Sequence, residues 1–334
     1  MNFLHLLTWR GRILRLLLSC MILVGLIVPL NASAQKNYPD RPIRIVIGFA
    51  AGGGTDALLR ILSVKLADIL GVPVIVDNRI GANGNIANDF VAKADPDGYT
   101  FLYNTSSMVM SPYLYSNLSY DYKRDLTPVA LVANIPLLLV ANPGVPVNNV
   151  QEFASYLRAN EGKSAYGSAG RGNVTHLSML YLLRSIKGSA LHVPYKSEAP
   201  AITDTVGGQV QFYMGTANGL IPYVKQKKLR ALAVGSQQRM ADIPDIPTLA
   251  ETILPGDELG AWSGIMAPAK TPKPVIDKMN AAILAALKDP EIRAKITSTG
   301  AEVRGSSPDE YSKFIAAEAV RWGQIVKAND IHPD

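Results

Sequence analysis

Apolar positions along this chain fall into runs of different length, and each length predicts a different element. The first run, Leu16 through Leu30, is broken only by Ser19, Cys20, Gly25 and Pro29. Arg10, Arg12 and Arg15 precede it, no acidic residue occurs before Gln35, and Ala32-Ser33-Ala34 closes it. A cationic start, an apolar centre and a small-x-small end predict a cleavable secretory signal peptide over residues 1–34. An uncleaved anchor fits less well, because a membrane span needs ~20 apolar residues and Pro29 breaks this run. Cys20 lies inside the run rather than after it, which argues against a lipoprotein site.

Beyond residue 35 the runs shorten and alternate. Arg44-Ile-Val-Ile-Gly-Phe49 reads as a buried strand, followed by a glycine-rich loop and a helix with Leu58, Leu62, Leu66 and Leu70 on one face. Val74-Ile-Val76, a helix near 86–94 and Tyr99-Thr-Phe-Leu-Tyr103 continue the rhythm, which predicts βαβ units and a parallel sheet. A second set begins after Pro136. Leu137-Leu-Leu-Val140 starts it, and strands follow at 164–167, 191–193, 210–213 and 229–234, with helices between them. A strand-like run over 259–266 and helices over 274–287 and 308–327 end the chain, with Pro274 and Pro308 in first turns, where a missing N–H costs nothing. Two α/β sets with a returning C-terminal segment predict two lobes joined by a two-strand hinge.

Composition narrows the function. The formal charge is +6, and loss of three arginines with the signal leaves +3, with no basic run longer than Lys225-Gln-Lys227-Lys228. Nucleic acid is not an expected partner. Cys20 is the only cysteine, so the mature chain has no intramolecular disulfide and depends on a packed core. No H-E-x-x-H or G-x-S-x-G occurs, so metal hydrolysis and nucleophile-elbow chemistry lack their signatures. No metal or other cofactor is expected, and the protein is read as not an enzyme.

The candidate chemistry lies in two loops. Gly48-Phe-Ala-Ala-Gly-Gly-Gly-Thr-Asp56 and Tyr166-Gly-Ser-Ala-Gly-Arg-Gly-Asn-Val-Thr-His176 each sit between a strand and a helix. Glycine lets the backbone turn sharply and lets a ligand approach peptide N–H groups, while the helix start adds unpaired N–H groups and a positive dipole end. Facing each other across a cleft, the loops would clamp an anionic group. Gly52-Gly-Gly-Thr-Asp-Ala57 also satisfies a relaxed dinucleotide fingerprint, with Asp77 about twenty residues on, so a Rossmann-type enzyme is a rival reading. Asp56 beside a pyrophosphate and an exported chain weigh against it. Asp56 itself reads as an N-cap or first-turn residue. Ser168 with His176 is conceivable as a nucleophile and base, but His176 fits better as a first-turn helix residue near the cleft.

Ten ordered motifs carry a resemblance. They include Tyr38-Pro-Asp-Arg-Pro-Ile-Arg44, Gly52-Gly-Gly-Thr-Asp56, Val76-Asp-Asn-Arg79, Asp95-Pro-Asp-Gly-Tyr99, Tyr166-Gly-Ser-Ala-Gly170, His192-Val-Pro-Tyr-Lys196 and Gly207-Gly-Gln-Val210. Together with Leu229-Arg-Ala-Leu-Ala233, Ile246-Pro-Thr248 and Ala267-Pro-Ala269, they resemble the tripartite tricarboxylate transporter substrate-binding proteins, the Bug family of periplasmic receptors. The resemblance implies an α/β, type II periplasmic-binding-protein-like fold, with two Rossmann-like lobes closing on a small carboxylate-containing ligand. It implies first-lobe contacts from Phe49, Ala50, Ala51, Gly52, Gly53 and Gly54, and second-lobe contacts from Ser168, Gly170, Thr175 and His176. Asp56, Ser106, Ser107 and Thr216 join the candidate ligand-binding set, with Thr105 beside them. Thr105, Ser106 and Ser107 either add hydroxyl donors or form a solvated turn. Arg171 either neutralises a second ligand carboxylate or points into solvent, and Tyr195 and Lys196 are rim candidates. Ala51 stands where the family often has proline, which predicts a more flexible first loop. Gln211 through Thr216 replaces a common acidic, Asn-containing stretch.

The expected lobes are 36–135 plus 256–334, and 136–255. The expected partners are the membrane permease subunits of a tripartite tricarboxylate transporter, for a receptor that is itself monomeric. A periplasmic sensor presenting its ligand to a signalling kinase is the alternative.

Overall fold

The computed structural model describes residues 38–52 and 54–328. The expected signal peptide, its Cys20 and Gly53 of the first loop lie outside the described residues.

The first α/β set is β1 (Ile43–Ile47), α1 (Gly54–Leu70), β2 (Val74–Asn78), α2 (Asn85–Ala92) and β3 (Thr100–Thr105). Two short helices, α3 (Ser107–Leu114) and α4 (Tyr122–Asp125), then lead into a long strand, β4 (Leu126–Ala141). The second set is α5 (Val150–Ala159), β5 (Ala165–Ser168), α6 (Val174–Ser185), β6 (Leu191–Pro194), α7 (Glu198–Val206), β7 (Phe212–Thr216), α8 (Ala217–Lys225), β8 (Arg230–Val234) and α9 (Leu249–Thr252). The chain returns through β9 (Gly260–Pro268), α10 (Lys273–Lys288), α11 (Pro290–Thr297), β10 (Glu302–Val303) and α12 (Pro308–Ala328).

The strands follow the order β2-β1-β3-β9-β4-β7-β5-β6, with β8 and β10 also beside β4. The pairing is parallel within each half, as the βαβ rhythm predicts, and antiparallel at the centre. Within each half, β1 runs parallel to β2 and β3, and β5 runs parallel to β6 and β7. At the centre β4 runs antiparallel to β7, β8, β9 and β10. The centre differs because no βαβ crossover joins β4 to these neighbours, and that connection is what enforces parallel pairing.

β4 belongs to both halves. Its residues 126–136 pair with β9, and 137–141 pair with β7 and β8. The pattern of apolar residues placed a strand start just after Pro136, yet the strand runs through it. Proline donates no ladder hydrogen bond and is tolerated where pairing changes, and Pro136 sits where the partner changes. Beyond it the side chains alternate between faces. Leu137 and Leu139 join the larger core with Phe153, Leu177, Trp262 and Trp322, whereas Leu138 and Val140 join a second core with Tyr213 and Leu220.

α12 packs on the larger core through a polar knot. Glu318, 8% exposed, accepts the indole N–H of both Trp262 and Trp322 at 2.9 Å and also takes Arg321 at 3.3 Å. Nearby, the Tyr311 hydroxyl donates to Asn104 at 2.9 Å and lies against Gly264, where a β-carbon would overlap it. No helix among the described residues is long and apolar enough to cross a membrane. Glu318→Ala strands two buried indole donors, at about 1–3 kcal/mol each. Urea denaturation at pH 7 is expected to read a loss of about 2–5 kcal/mol, and a smaller loss for Glu318→Gln, which keeps an acceptor.

Candidate ligand-binding site

The first glycine loop follows β1 and opens α1. Gly48 has the backbone of Gly84 against it, in the space a side chain would need, and Gly52 takes a positive φ of 81°. Asp56 closes the loop from inside. Its carboxylate, 1% exposed, accepts the Gly52 N–H at 2.9 Å, Arg60 Nε at 2.8 Å and Asn78 Nδ2 at 2.8 Å. Asn78 Nδ2 also donates to the Phe49 carbonyl at 2.9 Å. Burial opposes ionisation of Asp56, but the bonds from Arg60, Asn78 and Gly52 outweigh it and hold the carboxyl below its usual range. Asp56 is thus the first-turn residue expected, and its oxygens are committed to the loop. Ala50, Ala51, Gly52 and Gly54 are exposed, and Phe49 is half-buried with its ring against Gly84.

Behind this loop lies the β3–α3 corner. Thr105, Ser106 and Ser107 are buried, and Thr105 Oγ1 and Ser107 Oγ share a hydrogen bond of 2.8 Å. The solvated-turn reading of these three does not hold. A second segment, unread in the sequence, packs with them. Gly81, Ala82, Asn83 and Gly84 all have positive φ, in a 3₁₀ turn before α2. Asn83 Nδ2 and Asn85 Nδ2 are buried there without partners. The available signal was the Gly81-x-x-Gly84 spacing in another strand-to-helix loop.

The second glycine loop is locked by its own side chains. Thr175 Oγ1 accepts the Ala169 N–H at 2.8 Å, Ser168 Oγ accepts that of Gly170 at 3.2 Å, and His176 Nδ1 accepts that of Gly172 at 3.1 Å. Asn173 caps α6, accepting the Thr175 N–H at 3.1 Å. Ser168 is fully buried and pairs with His192, not His176, with Oγ to Nε2 at 2.6 Å. His176 and His192 stack at 3.8 Å, and Tyr166 continues the stack on His192 at 5.1 Å. Burial, then His192 and Arg171, push His176 down to about 3. Burial, then Arg171, push His192 down to about 4. Both rings are therefore neutral at pH 7. Arg171 is exposed and has no ion-pair partner among the described residues.

Each loop reaches an element of the opposite half. At Gly54 a β-carbon would stand 2.5 Å from Asn218 Nδ2 of α8, and at Gly172 it would stand 2.7 Å from Leu114 of α3. Thr216, which precedes α8, gives its N–H and its hydroxyl to Glu198, at 3.0 and 2.8 Å. Glu198 and Asn218 escaped the sequence reading, and His192 entered it only as the start of a motif, not as a partner of Ser168. Of the remaining candidates, Tyr195 lies against the second loop, its N–H donating to the Ser168 carbonyl at 3.0 Å. The Tyr195 hydroxyl donates to Asp204 at 2.7 Å, Lys196 is exposed, and Asp77 of the dinucleotide reading pairs with Arg79 at 3.0 Å. Among the described residues no cluster of His, Cys, Asp and Glu is arranged to hold a metal ion.

The mixed sheet shared by two α/β halves, with glycine loops at their junction, is the architecture of a two-lobed periplasmic binding protein. Residues 58–331 match the family described as tripartite tricarboxylate transporter family receptor, and the chain belongs to that family. It is 34% identical over 307 residues to the protein BugT of Bordetella pertussis, covering 91% of this chain and 93% of that one. Its fold is similar to that of Rpa4515 of R. palustris, solved with adipate (TM-score 0.82, 32% identity, 89% of this chain and 100% of that one). It is also similar to MatC from Rhodopseudomonas palustris, solved with malate (TM-score 0.77, 34% identity, 86% and 100%). Members of this family are solute-binding receptors rather than enzymes.

The neutral histidine pair predicts acid sensitivity. In the unfolded chain each imidazole binds a proton near pH 6.5, while the folded values lie near 3 and 4. Their contribution is complete above pH 6.5 and is lost as pH falls toward 4, at up to roughly 1.4 kcal/mol per pH unit per histidine. Urea denaturation at pH 7, 6 and 5 checks this, and His192→Gln is expected to flatten the slope by about half.

Proposed function

We propose that this protein is a periplasmic receptor that captures a small carboxylate between two lobes and delivers it to the permease of a tripartite tricarboxylate-type transporter. One observation carries the reading. Two strand–glycine-loop–helix starts, one from each half, each abut the opposite half, and the second bears Arg171, a cation without an ion-pair partner among the described residues. Helix starts favour anions through unpaired N–H groups and the dipole, worth about 0.3–2 kcal/mol. A charge-assisted hydrogen bond adds about 1.5–3 kcal/mol. The exposed peptide groups at Ala50, Ala51 and Gly54 supply the first wall, and Arg171 with the α6 start supplies the second.

The lobes are residues 36–135 plus 256–334, and 136–255. The change of β4 pairing at Pro136–Leu137 and the return at Leu259–Gly260 support this division. Residues 1–34 act as the signal peptide that exports the chain. Ligand touching both lobes binds the closed form better and shifts the population toward it. The adipate and malate bound by two structural relatives support a carboxylate as the ligand class.

A thermal-shift screen of the mature chain across mono-, di- and tricarboxylates, followed by calorimetry, tests the reading. At least one carboxylate is expected to raise the melting temperature and bind with a one-to-one stoichiometry, whereas NAD is expected to give no shift. Arg171→Ala is expected to weaken the bound carboxylate about tenfold, the loss of one exposed charge-assisted contact. A full panel without a shift overturns the assignment.

A further inference from the structure

The charges around the junction do not cancel evenly. Asp56, on the first side, is neutralised by Arg60. Glu198, on the second, has no ion-pair partner among the described residues. Lys196, two positions before it, is exposed and lies beyond ion-pair distance. The Glu198 carboxylate instead takes the N–H and hydroxyl of Thr216, so it sits at the start of α8. That helix start is the one whose Asn218 meets Gly54, and Glu198 Oε2 lies 3.3 Å from where a β-carbon of Gly219 would stand. The buried Tyr213 hydroxyl is pushed up by burial and then by the Glu198 carboxylate. Glu198 therefore stands at the α8 start that meets the first glycine loop, half-buried and without an ion-pair partner among the described residues.

Two consequences follow. The positive end of α8 already holds a protein carboxylate, so a ligand carboxylate cannot use those donors. A second ligand carboxylate placed there also meets a like charge, which a partly desolvated site penalises more than water does. A cation or strong donor on the ligand meets the opposite charge instead. Arg171 lies on the second loop, where its charge acts on both histidines.

We propose that Glu198 sets the ligand class of this receptor: a small carboxylate whose far end is an ammonium or similar cation, with matched dicarboxylates rejected. The inference rests on the carboxylate-receptor reading. Adipate and malate, with which two structural relatives were solved, are dicarboxylates, the class that Glu198 opposes in this chain.

The test is calorimetry on the mature protein with chain-matched probes. These are β-alanine against malonate, 4-aminobutanoate against succinate, 5-aminopentanoate against glutarate and 6-aminohexanoate against adipate, with butanoate and hexanoate as simple monocarboxylates. For the chain length that binds best, the wild type is expected to favour the amino acid at least tenfold over the diacid. Glu198→Gln keeps an acceptor for Thr216 and is expected to cut that preference at least tenfold, with an unchanged unfolding midpoint. A wild-type preference for the diacid, or the same preference in Glu198→Gln, overturns the role of Glu198 while leaving the carboxylate reading intact. Failure of every probe, simple monocarboxylates included, sinks both.

Discussion

The arrangement of this molecule depends on one strand belonging to two sheets. β4 spends residues 126–136 against β9 and residues 137–141 against β7 and β8, without a break between. The loops after β1 and β5 are fixed to strands that share this central member through the sheet, and each loop meets an element of the opposite half. Pro136 marks the change of partner, and the hydrogen bonds among Leu137, Gly235 and Leu259 tie the outgoing and returning chain at the same level. A sheet held this way transmits position: what fixes β4 fixes the spacing of the glycine loops.

At the junction, polar satisfaction has been arranged differently on each side. The first loop is held by an ionised carboxylate and its arginine, which suits an exposed turn whose glycines offer little packing. Asp56 and Asn78 together bind the Phe49 carbonyl and the Gly52 N–H, restraining the stretch where proline would otherwise limit φ. The second loop is held by neutral groups, and its two histidines are stacked and desolvated. A charged imidazole there would face Arg171 and lose solvation, so the loop is rigid only while the rings are neutral. The first wall thus carries balanced charge, and the second carries Arg171 and Glu198 apart from each other.

Local pattern was legible in the sequence, and long-range pairing was not. Leu58, Leu62 and Leu66 are fully buried on α1, as their spacing predicts, and both glycine loops stand between strand and helix where they were read. The family resemblance agrees with the match over residues 58–331. Pro136 misled because proline is a common strand boundary and only tertiary pairing shows that the strand continues through it. His192 and Glu198 could not be found by spacing, because they lie 24 residues from Ser168 and 18 from Thr216 and meet them only when β5, β6 and β7 align. The turn at Gly81–Gly84 went unread because glycine spacing in a connection signals a turn without saying what packs against it.

The same geometry divides the labour between backbone and side chains. Gly54 and Gly172 stand against the opposite half, and a β-carbon at either would intrude on Asn218 or Leu114. Loops stripped of side chains to allow that approach present only peptide groups, which recognise a carboxylate but not what is attached to it. Discrimination must then come from the side chains that flank the glycines, and Arg171 and Glu198 are charged there without an ion-pair partner among the described residues. In the proposed receptor, closure and specificity are therefore separable properties: the glycines set how near the halves come, and two charges decide which carboxylate rewards that approach.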